Sequence, residues 1–151
     1  MRRTSAIVLA LGAVWVMALG AHFALFRAPL STEDMRYLDR SLESLEVVSP
    51  ALNSWLQRVF YVMGGYMFAT GLAMFYIAVT GFRTRARGAA LTVAVAGAAS
   101  IGGMAVIGLL TAKWHVLLIA LVWLLALALY QIEGLGGAPA RAPGVAAPAA
   151  R

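Results

Sequence analysis

Two histidines and a group of hydroxyl side chains are the residues of this 151-residue chain best suited to hold a ligand. His22 lies near the far end of an uncharged apolar run, and His115 lies at the start of another. Imidazole nitrogen binds transition metals and haem iron, and carboxylates complete such sites. Glu33, Asp34 and Asp39 stand between the first two apolar runs, so they are the candidate co-ligands of His22 and His115. Two histidines without diagnostic spacing equally suit rings seated at membrane headgroups. A second constellation is Tyr61, Gly64, Gly65, Tyr66, Thr70 and Tyr76. Tyr66, Thr70 and, at looser spacing, Tyr76 would line a polar cleft for a lipid or quinone headgroup, since pockets between bundle helices are a common ligand location. The same hydroxyls also suit hydrogen bonds between helices, with the glycines serving close packing.

Little other chemistry is legible. The apolar runs contain no Asp, Glu, Lys or Arg, and the missing central carboxylate disfavours a small proton-coupled exporter. No HExxH, GxSxG or P-loop pattern occurs. The absence of cysteine removes disulfides, thiolate metal sites and CxxC relays together. The chain is therefore read as non-enzymatic, with no catalytic residue. No cofactor is predicted, although quinone, haem and metal remain open.

The elements that would position these residues follow from composition. The chain is 62% hydrophobic and 12% charged, against about 45–50% and about 25% in soluble domains. Hydrocarbon solvates Leu, Ala and Phe well and charges badly. About 20 apolar residues at 1.5 Å each cross a core of roughly 30 Å. Four such runs are present, at about 4–26, 59–82, 89–111 and 114–132. Backbone amides in lipid must be satisfied within their own segment, which makes the spans helices. The predicted fold is all-α: an integral membrane four-helix bundle forming one domain over residues 1–132. The first run is too long for a signal peptide and is expected to be retained as a span.

Outside the spans, Met35, Leu38, Leu42 and Leu45 recur at helical spacing between Pro29 and Pro50. They predict a short amphipathic outer helix over residues 32–47, acting either as a connector packed on the bundle or as a lid or partner-docking element. Residues 133–151 are rich in Ala, Pro and Gly and read as a flexible tail. Trp55, Tyr61, Trp114 and Tyr130 fall where aromatic rings sit at membrane interfaces. Arg2 and Arg3 before the first run, with Arg83, Arg85 and Arg87 between the second and third, predict cytoplasmic N- and C-termini. The net charge of +6 is thereby read as topological, and nucleic acid is excluded as a partner because the basic residues form no stripe.

Small residues let helices approach closely where water cannot drive them together. Gly65, Ala69 and Ala73 form one such ladder in the second run, and Ala90, Ala94, Ala98 and Gly102 form another in the third. Gly12, Gly20 and Ala24 share a face of the first. The third helix is expected at the bundle centre and the leucine-rich fourth at its most lipid-exposed edge. The ladders do not distinguish contacts within one chain from contacts between chains.

The size, the four spans, the longer first loop and the run Tyr61-Val-Met-Gly-Gly-Tyr-Met-Phe-Ala-Thr-Gly71 resemble the small bacterial four-helix membrane proteins of the DoxX-like type. The resemblance extends to about Ile132 and implies an inner-membrane location. Some members of that family are linked to quinone-connected oxidoreductases, but no catalytic residue carries over. The expectation is a membrane protein that works by association, as an accessory subunit or homo-oligomer. A lipid- or quinone-binding bundle and an oligomeric channel or transporter are the alternatives.

Overall fold

The computed structural model describes residues 4–28, 50–110 and 114–135, the side chains of 50 and 114–116 excepted. The outer helix expected over 32–47 and most of the expected tail lie outside the described residues. Among the described residues, four helices are long and apolar enough to cross a membrane. By length and composition this is a multi-pass all-α membrane protein.

The first helix, α1, is Thr4–Leu25. The second, α2, is Pro50–Ile77 and continues through a π-helical turn, Ala78–Phe82. It begins well before Val59, because Leu52, Gln57 and Arg58 are good helix formers although the stretch is not apolar. Pro50 opens it, as its fixed φ and missing N–H suit a first helical turn. The third span, α3, is Ala89–Leu110, interrupted by a π-helical turn at Ala98–Gly102. The fourth, α4, is Trp114–Leu135 and extends past Ile132.

Both π turns contain a hydroxyl residue bonded back to the carbonyl four residues earlier. Thr80 Oγ1 donates to Tyr76 O at 2.6 Å, and Ser100 Oγ donates to Ala96 O at 2.7 Å. Each hydroxyl competes for the carbonyl that an α-helical N–H would use, which favours a local slip of the ladder.

The centre of the bundle is α1 and not, as expected from its small residues, α3. On one side α1 crosses α2 backbone to backbone. A Cβ on Gly64 would meet Ala24 N at 2.5 Å, and one on Gly71 would meet Ala13 O at 2.8 Å. Gly20 faces Gly64 across the same crossing. On its other side α1 packs against α4, where Gly12 abuts Val122. Ala6, Leu9, Ala13, Met74, Phe82 and Ala126 belong to one continuous core. Val16, Ile101 and Ile119 form a smaller cluster toward the other end. Helix α3 joins through α4: Gly97 makes room for the Trp123 indole, whose Nε1–H donates to Val93 O at 3.1 Å. The fourth span has the smallest buried share of the four, but it packs on both α1 and α3 rather than lying at the edge of the bundle.

Candidate functional site

The residues singled out by sequence occupy three separate places. Thr70 lines a cavity of about 20 Å³ near the bundle middle, with Gly12, Gly71, Ile119 and Trp123 among its walls. That volume holds about one water molecule. The Thr70 hydroxyl donates to Tyr66 O at 2.8 Å within its own helix. Tyr66 and Tyr76 do not line the cavity. They are 73% and 67% exposed, on the outward side of α2. Neither hydroxyl has a hydrogen-bond partner among the described residues.

His22 is exposed near the C-terminal end of α1, stacked on Phe26 with 6.2 Å between ring centroids. The backbone of His115 lies in the first turn of α4, and its side chain is outside the described residues. Glu33, Asp34 and Asp39 are outside them as well. Among the described residues no three His, Asp or Glu side chains gather around a common point suited to a metal ion. Beside His22, the Arg27 guanidinium stands 4.7 Å from the Phe23 ring and 4.5 Å from the Phe60 ring. This cation–π contact joins the end of α1 to α2.

The packing candidates divide the same way. Gly65, Ala69 and Ala73 lie on the exposed side of α2, and the glycines that meet α1 are Gly64 and Gly71. Ala94 and Gly102 are half-buried and Ala98 is exposed, while Val93, Gly97 and Ile101 form the buried side of α3.

A polar cluster that sequence reasoning did not assemble closes the opposite end. Glu133 of α4 accepts the Ser5 N–H at 3.1 Å and the Ser5 Oγ–H at 2.6 Å. The carboxylate thereby satisfies an unpaired donor in the first turn of α1 and lies at the positive end of that helix dipole. Next to it, Arg85 donates from Nη2 to Tyr130 O, and its guanidinium carbon sits 4.1 Å from the Tyr130 ring centroid. Tyr130 is buried against Phe82, with 4.3 Å between ring centroids, rather than spread at the lipid interface as its terminal position suggested. Two signals for this cluster are present in sequence. Glu133 is a lone acid directly after an apolar run, and Ser5 is a hydroxyl in the first turn of another. Their partnership needed the antiparallel pairing of α1 and α4. Trp123 was likewise overlooked; an indole N–H in mid-span requires an acceptor.

No family model matches the chain, and neither a curated protein nor a solved structure matches it.

Proposed function

We propose that this protein works by association within the bilayer, as an accessory subunit or a homo-oligomer, and not through a reaction of its own. The observation that carries this reading is the outward side of α2. It presents Tyr66, Ala69, Ala73 and Tyr76 away from the bundle, with tyrosine hydroxyls that lipid tails do not satisfy. The cavity beside Thr70, at about 20 Å³, is far smaller than a quinone or lipid headgroup requires, so Thr70 does not by itself mark the headgroup cleft of the alternative reading. The location belongs to the proposal too: a bacterial inner membrane, with both termini cytoplasmic on the side of Arg83, Arg85 and Arg87. Layout kinship with DoxX-like proteins is also part of it and brings no catalytic residue.

Native mass spectrometry after mild-detergent extraction tests the reading, combined with solute flux in liposomes. The expected result is a mass that is a multiple of the chain or includes a second protein, without flux. A single chain carrying a stoichiometric small ligand, or a single chain that transports solute, overturns it.

A further inference from the structure

The net charge of the chain, +6, is gathered at one end of the bundle. Ser5 against Glu133 brings the start of α1 to the end of α4, and Arg85 on the Tyr130 carbonyl brings the α2–α3 turn to the same place. Residues 26–58 and 111–115, which adjoin the opposite end, contain five basic and five acidic residues. All of the excess positive charge therefore adjoins the end that carries the turn. Glu133 is the only acid among the described residues, and Ser5 occupies both of its oxygens.

Within the turn the three arginines divide. Arg85 is half-buried and spent on Tyr130. Arg83 and Arg87 are exposed, and their side chains make no hydrogen bond, ion pair or ring contact with any described residue. Arg83 directly follows Phe82, which is fully buried, and Arg87 stands two residues before Ala89, where α3 begins. Both guanidinium groups thus leave the chain where the apolar spans stop, at the depth of the lipid headgroups rather than raised above the membrane for a protein partner. A guanidinium is a planar fork of donors that matches two phosphate oxygens at once and is more weakly hydrated than an ammonium. A zwitterionic lipid brings its own cation beside the phosphate, which uncompensated arginines repel. An anionic lipid brings none, and basic residues at this depth attract it.

We propose that the α2–α3 turn is a binding site for anionic phospholipid, with Arg83 and Arg87 holding the headgroup phosphate. The site lies on the rim of the bundle and does not depend on which side of the membrane that rim faces.

Native mass spectrometry of the purified full-length chain in mild detergent tests it, with added phosphatidylglycerol or phosphatidylcholine of identical acyl chains. Detergent leaves both ends of the bundle open to lipid, so an altered membrane orientation does not disturb the comparison. The chain is expected to retain phosphatidylglycerol several-fold better than phosphatidylcholine, and the preference to fade as salt rises. Arg83→Gln and Arg87→Gln are each expected to weaken phosphatidylglycerol retention by about fivefold, and the double variant to abolish the preference. Arg58→Gln removes an exposed arginine near the opposite end and is expected to change nothing. The melting curve of the double variant is expected to match that of the parent chain, since neither side chain packs on the bundle. Equal retention of the two lipids overturns the site, as does a preference that survives the double substitution. A loss as large with Arg58→Gln overturns it too, because net charge alone then sets retention. Capture of an acidic protein that needs Arg83 and Arg87, without any lipid preference, overturns it in favour of a protein partner. The mass of the protein component reads the association proposal and the lipid adducts read this one, so either can fail alone.

Discussion

Arg85 serves both the turn that ends α2 and the packing of α4 beside it. It closes α2 with φ of 59°, in the left-handed region that usually falls to glycine at a helix end. The amides around it complete the reversal: Ala86 N–H donates to Gly81 O at 2.8 Å, and Arg85 N–H donates to Phe82 O at 3.3 Å. A residue with a Cβ costs about 1–2 kcal/mol in that conformation. The cost is offset by the guanidinium, which holds the Tyr130 carbonyl and lies over its ring. Gly134 is the space that makes this possible, because a Cβ there would come within 2.6 Å of Arg85 Nη2. Arg85→Ala keeps the strain and loses the clamp, so a loss of about 1–3 kcal/mol is expected. Arg85→Gly loses the same clamp but relieves the backbone. It should therefore melt above Arg85→Ala in thermal denaturation in detergent. An equal or lower melting point for the glycine variant would show that the backbone conformation carries no strain. Arg83 and Arg87, both exposed, remain to face headgroups.

The helices are told apart by which of their small residues are used. Two adjacent glycines in α2 have opposite surroundings: Gly64 is pressed on α1, and a Cβ at Gly65 meets nothing within 4 Å. Gly64→Ala therefore forces the α1–α2 crossing apart, with an expected loss of about 1–3 kcal/mol. Gly65→Ala leaves the crossing intact and should be neutral or slightly stabilising through helix propensity. Paired thermal melts of the two variants in the same detergent check this, and equal losses would mean that the crossing is not at Gly64. The ladder of Gly65, Ala69 and Ala73 was legible from spacing, but its side was not. A shift of one residue turns a helix by about 100°, and both Gly64–Gly71 and Gly65–Ala73 are plausible seams by composition alone. The same ambiguity displaced α3 from the expected centre. Its many alanines permit close approach on several faces, and Gly97 is where a large neighbour, the Trp123 ring, is seated.

At the scale of the whole molecule, the two ends of the bundle differ in chemistry. One end joins α1, α2, α4 and the α2–α3 turn through Ser5, Glu133, Arg85, Tyr130 and Phe82. The other is held by Arg27 against Phe23 and Phe60, beside His22. The proposed topology places the first end on the cytoplasmic side. Cysteine-accessibility labelling of Arg87→Cys in intact cells is expected to require membrane permeabilisation, and Trp55→Cys to label without it. The reverse pattern would invert the orientation and assign the Arg83–Arg87 cluster to the outside. What the sequence determined by itself is the number of helices and their approximate extents, because an uncharged apolar run of this length is stable in lipid only as a helix. That inference needs no knowledge of neighbours. The tertiary structure decided which face of each helix is inside, that Thr70 lies at a small cavity while Tyr66 and Tyr76 look outward, and that Glu133 reaches Ser5 from 128 positions away. Those outcomes depend on the rotation and antiparallel register of packed helices. In lipid, where apolar side chains are nearly as well solvated outside the bundle as within it, hydrophobicity does not mark the inner face.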